Sequence, residues 1–161
     1  MSRTELELLR DSWSIRGRFW QVFPGLLQDP RPWRAKPIWL LMGGRGAGKT
    51  RAGAEWIRSL VARDPDAACE RISRLALVGE TFAAARDVMV EGPAGVLASY
   101  SRRSERPVWS PSLRRLEWKN GAVAHVFSAE DPDSLRGPQF EAAWCDELAK
   151  WKNAEACFDM L

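Results

Sequence analysis

The run Gly43-Gly44-Arg45-Gly46-Ala47-Gly48-Lys49-Thr50 constrains this chain more than any other stretch. It fits G-x-x-x-x-G-K-[ST], the pattern of a phosphate-binding P-loop. At ordinary glycine usage, chance produces the pattern in roughly one chain in two hundred of this length. The apolar run Ile38-Trp39-Leu40-Leu41-Met42 precedes it and has strand length, and residues 51–62 follow with helical periodicity. Strand, glycine loop and helix form the context that the pattern requires. The glycines permit a tight turn with N–H groups aimed inward. The helix start adds unpaired N–H groups and the positive end of its dipole. On this reading Gly43 to Thr50 cradle a nucleotide, Lys49 reaches the β- and γ-phosphates, and the Thr50 hydroxyl ligates Mg²⁺. The expected cofactors are therefore ATP and Mg²⁺. The bland alternative is a glycine-rich turn that binds nothing.

A second stretch completes the site. Ala142-Ala143-Trp144-Cys145-Asp146-Glu147 is a short apolar strand ending in adjacent carboxylates, the Walker B pattern. A buried strand delivers such acids to its C-terminal edge, where ligands bind in open α/β sheets. Asp146 is expected to hold Mg²⁺, and Glu147 to orient and deprotonate an attacking water. The pairing of metal acid and base points to hydrolysis. Two arginines could neutralise charge on the γ-phosphate: Arg45 inside the loop, and Arg136 in Asp133-Ser134-Leu135-Arg136-Gly137. For Arg136 the competing reading is a salt bridge within its loop.

Composition bounds the rest. The chain has 161 residues, the size of one domain, with a net charge of +3 that permits a nucleic-acid partner without demanding one. Cys69, Cys145 and Cys157 have neither zinc nor redox spacing, and their odd number argues for free thiols in a reducing compartment. The sequence carries no signal peptide or membrane span, so a cytoplasmic location is expected. Of nine tryptophans, most read as core or interface residues. Residues 101–115 are basic, with Arg102, Arg103, Arg106, Arg114 and Arg115 around Trp109. They form either a solvated loop or a contact with a DNA phosphate backbone. His125 has no evident partner and reads as structural.

The chain divides at Pro37. Thr4 and Glu7 form a capping box for an amphipathic helix over 5–20, and Pro24, Pro30, Pro32 and Pro37 make an extended connector. Trp33 or Arg34 could stack on the adenine base. Residues 38–161 then form the P-loop domain. Its helix is expected to turn Trp56, Ile57, Leu60 and Val61 inward, and Arg51, Glu55 and Arg58 outward. Residues 75–78 read as a second buried strand. Thr81 can cap a helix running to Met89, and a further short helix is expected over 94–100. Residues 113–118 and 122–128 read as a hairpin around Asn120-Gly121. The fold class is α/β, a P-loop NTPase of the additional-strand type with a mainly parallel central sheet flanked by helices.

Gly-Gly-Arg-Gly-Ala-Gly-Lys-Thr with Arg-Ala-Gly-Ala-Glu-Trp after it, Leu135 to Phe140, and Trp144 to Trp151 together resemble the large subunit of phage terminase. The likeness is strongest to the form found in tailed phages and gene transfer agents, and it runs from about Trp33 onward. It implies an ATP-hydrolysing motor that packages double-stranded DNA into a capsid. Such a motor works as a homo-oligomeric ring on the portal protein with a small terminase subunit. It also implies hydrolytic roles for Arg45 and Arg136, the latter on a neighbouring subunit's ATP. Members of that family carry a coupling motif and a nuclease domain after Walker B. Here the sequence given stops at Leu161, which would leave a gap in mid-sheet, so three expectations stand: a fragment, a remainder supplied by another chain, or strands that pair differently. No nuclease carboxylate cluster can be assigned, and cutting activity is not carried over. The alternatives are a non-catalytic fragment that binds nucleotide or a partner, and another DNA-dependent ATPase of helicase-like type.

Overall fold

The computed structural model describes residues 38–62 and 72–161. The helix over 5–20, the proline-rich connector, and Trp33 and Arg34 lie outside the described residues. The strands are β1 (Arg74–Gly79), β2 (Val108–Ser110), β3 (Arg115–Glu117), β4 (Val123–Ser128) and β5 (Ala142–Cys145), and they form one sheet in the order β2-β3-β4-β1-β5. Leu75, Ala76, Leu77 and Val78 are all fully buried, because β1 has packed layers on both faces. An apolar run without alternation is what a central parallel strand carries. β1 pairs in parallel with β4 and with β5. β3 pairs antiparallel with β4, and β2 with β3. The sheet is therefore mixed and not mainly parallel as the sequence suggested. The tight Asn120-Gly121 turn returns the chain antiparallel, with Gly121 at φ 85°, a conformation glycine adopts without strain.

One face of the sheet is covered by helix α1 (Lys49–Val61). Ala54, Ile57, Leu60 and Val61 pack there with Leu75, Leu77, Leu116, Ala124, Val126 and Trp144. Gly53 sets how closely α1 approaches β5: a Cβ at this position would lie 2.2 Å from the Trp144 ring. Glu55 departs from expectation. It is buried, not outward, because residues 97–100 fold over that flank of α1. Arg51 donates to the Ala98 carbonyl and Arg58 to the Ser99 carbonyl, and both pair with the Glu55 carboxylate. A buried carboxylate survives only with such partners. Helix α2 (Phe82–Ala84) is capped as expected, the Thr81 hydroxyl accepting from the Ala84 N–H at 3.0 Å. It then widens into a π-helical turn over Ala85–Val90. The 94–100 stretch gives only a 3₁₀ turn at Leu97–Ser99.

On the second face, Ala76 and Val78 pack with Leu135, Trp151 and Cys157, the last carried by helix α3 (Ala154–Phe158). The largest correction concerns residues 38–42. They form no strand, and Ile38, Leu40 and Met42 are exposed by 65, 69 and 81%. Strand propensity needs a ladder partner to be realised, and among the described residues the sheet ends at β5 with no strand between it and this segment.

Candidate nucleotide site

The loop before α1 is built for close approach. Gly46 and Gly48 hold φ of 76° and 84°, and a Cβ on Gly44 or Gly46 would meet nothing within 4 Å. The loop is thus open to an incoming group. No side chain caps α1, which leaves its first N–H groups available. Lys49 folds back over the loop and donates to the Gly43 carbonyl at 2.9 Å and to the Gly44 carbonyl at 3.3 Å. Open amides, a helix start and one ammonium form a donor set that fits a polyphosphate. Ala47 and Thr50 are half-buried beside it, and Arg45 is exposed at the loop tip.

The opposite wall comes from β5. Strand alternation puts Ala142 and Trp144 on the α1 side, and the Asp146 N–H continues the ladder by donating to the Val78 carbonyl at 3.0 Å. Asp146 therefore falls on the α1 side of the C-terminal edge. Burial, and then the adjacent Glu147 charge, hold its carboxyl above the usual carboxylate range, while Lys49 and Lys150 pull it down. Glu147 breaks the strand. It sits in the left-handed region at φ 54°, followed by a 3₁₀ turn at Leu148–Lys150. That turn is tied down twice: the Lys150 N–H donates to the Glu147 carbonyl at 2.8 Å, and the Trp151 indole N–H to the Asp146 carbonyl at 3.0 Å. Glu147 Oε1 consequently lies 3.8 Å from Lys49 Nζ, and Oε2 lies 3.4 Å from Lys150 Nζ.

Two expected site residues, Lys49 and Glu147, are in direct ionic contact. Arg136 is not brought to them. It is 65% exposed in its loop and pairs with Asp133 at 3.2 Å. The basic stretch divides: Arg102 pairs with Glu105, Arg115 with Glu117, and Arg106 donates to the Tyr100 carbonyl. Arg114 lies over the Phe82 ring at 4.5 Å, and Arg103 is exposed. His125 lies on β4 near Phe127, beside a cavity of about 350 Å³ away from the P-loop. Burial and the neighbouring Arg115 hold its pKa below the ordinary histidine value. Sequence reasoning missed Lys150 and Trp151. The i, i+3 spacing of Glu147 and Lys150 was the available signal.

The family model described as "Terminase large subunit, T4likevirus-type, N-terminal" matches residues 40–158. The chain belongs to this terminase family. The matched region takes in the loop, α1, the whole sheet and the turn after β5, so every described part of the candidate site lies within it. No curated protein and no solved structure matches the chain in the same comparisons. A packaging-motor role follows in general terms from membership of the terminase large subunits. Among the described residues, no helix is long and apolar enough to cross a membrane.

Proposed function

We propose that this terminase region is the ATP-hydrolysing part of a motor that drives double-stranded DNA into a capsid. The observation that carries the proposal is the meeting of Lys49 and Glu147 across the loop and the end of β5. Gly43 to Thr50 would hold the phosphates of ATP, and Thr50 and Asp146 would hold Mg²⁺. When bound, Mg²⁺ would supply neutralisation of the phosphate charge. Lys49 exchanges the Gly43 and Gly44 carbonyls for phosphate oxygens. Glu147 accepts the proton of the attacking water, and Arg45 or Arg136 offsets charge on the γ-phosphate. Because Arg136 stands apart from its own chain's Lys49, its action fits a neighbour's site in a homo-oligomeric ring.

The partners in this reading are DNA, the portal protein and a small terminase subunit. The setting is the cytoplasm of a bacterial host at the assembling capsid, and the closest functional type is that of tailed phages and gene transfer agents. The exposed Arg103 offers a phosphate-backbone contact without base specificity. A second reading, binding without turnover, is favoured by one observation: among the described residues, the segment 38–42 that leads into the loop is not a strand of the sheet.

The test is melting with and without Mg-ATP, then DNA-stimulated turnover. A rise in Tm that disappears in Lys49→Ala supports nucleotide binding. Turnover lost in Glu147→Gln with binding retained supports the assigned base. Binding without turnover in the unaltered chain would favour the second reading. No rise in Tm would sink both.

A further inference from the structure

We propose that Lys150 is a positioning residue for the general base, holding the Glu147 carboxylate in place once nucleotide draws Lys49 away. The inference rests on the nucleotide reading above and concerns a residue which that reading leaves idle. Glu147 divides its two oxygens between two lysines, Oε1 toward Lys49 and Oε2 toward Lys150. The two contacts differ in kind. Lys49 also donates to the Gly43 and Gly44 carbonyls from the loop, and it is the group that a phosphate would claim. Lys150 has no such bond to the loop and reaches the other carboxylate oxygen from the turn that Glu147 itself begins.

That turn fixes where the ammonium can reach. The Lys150 N–H is bonded to the Glu147 carbonyl, and buried Trp151 anchors the far end by donating to the Asp146 carbonyl. The backbone between base and lysine is thereby closed into a short loop, and the left-handed Glu147 brings the two side chains to the same side of it. When a polyphosphate takes Lys49, the Glu147 carboxylate loses one cation and faces added negative charge. Lys150 is then the cation that keeps it from swinging out to water. The Lys150–Glu147 pair is exposed and weak as a stabiliser of the fold, so its effect falls on orientation.

Two effects follow from removing it. With Lys150 gone, Lys49 becomes the sole lysine partner of Glu147, so nucleotide must break a firmer contact. The base is also left unrestrained during turnover. The experiment is a double-mutant cycle on Lys150→Met and Glu147→Gln, titrated with a fluorescent ATP analogue and Mg²⁺, alongside steady-state turnover with DNA. Lys150→Met is expected to weaken analogue binding about three- to tenfold, and to have less than about a twofold effect in the Glu147→Gln background. Lys150→Arg is expected to restore binding, and kcat is expected to fall about tenfold or more in Lys150→Met alone.

Equal weakening in both backgrounds would mean that Lys150 acts only through its general charge, and would overturn the proposal. So would unchanged binding in Lys150→Met. If that variant fails to melt cooperatively, Lys150→Gln replaces it under the same criteria. Failure of the unaltered chain to bind the analogue, or undiminished binding by Lys49→Ala, would instead overturn the nucleotide reading and the inference with it.

Discussion

Glu147 combines the side chain proposed as the base with an unfavourable backbone. A non-glycine residue in the left-handed region costs about 1–2 kcal/mol, and in this fold that residue is the expected base. Glu147→Ala loses the two lysine contacts and keeps the strain, whereas Glu147→Gly loses the contacts and relieves it. The glycine variant should therefore be more stable than the alanine variant by about 1 kcal/mol in urea unfolding, with both inactive. Equal stabilities would show that the backbone there is unstrained. Its neighbour Asp146 gives a pH signature. Its folded pKa is raised above the ordinary 3.8, so the folded state holds the proton more tightly than the unfolded chain. Stability should then fall as pH rises from the unfolded value through the raised one, and stay lower above it. Asp146→Asn removes that loss. Urea midpoints with chelator, from about pH 4 to 8, should show the variant gaining on the parent as pH rises. Parallel profiles would contradict the assignment.

At the scale of elements, the decisive contact is between α1 and β5. Gly53→Ala would drive a methyl group into the Trp144 ring, and overpacking of this kind costs about 1–3 kcal/mol. The melting temperature should drop accordingly, and Trp144→Phe should recover part of the loss in the double variant. An unchanged Tm in Gly53→Ala would show that the two elements part easily. This contact was invisible in the sequence, where Gly53 reads only as a weak point in a helix. What could be read were locally encoded features: α1 after the glycine loop, the apolar β1, the Asn120-Gly121 turn, and the run that ends in Asp146. What could not be read depends on distant partners. β2 is three residues in a basic stretch and exists because β3 pairs with it. Glu55 has the periodicity of an outward position, and only the covering segment at 97–100 makes it buried. The acids of the site were legible as types in order, whereas the turn that brings Lys150 to Glu147 was not.

At the scale of the whole molecule, the sheet carries an uneven burden. β5 is laddered on one side only among the described residues, and Ile38, Leu40 and Met42 expose apolar surface in the segment before the glycine loop. Edges and apolar rows of this kind promote pairing between copies. Sedimentation velocity should show association that grows with concentration, and Leu40→Lys should reduce it without lowering Tm. Association unaffected by Leu40→Lys would place the contact elsewhere. The tight seating of Gly53 on Trp144 has a consequence for timing. The helix that carries Lys49 and the strand that leads into Asp146 meet backbone to ring, so they have no slack through which to separate as a cleft. The groups that would give way to a ligand are the partly buried Lys49 side chain and the exposed Glu147 carboxylate, and a side-chain reorientation is faster than the microseconds to milliseconds of hinge motion. On the proposed nucleotide reading, entry would be ungated, and its observed rate should climb in a single phase in proportion to concentration, with no plateau set by an opening step.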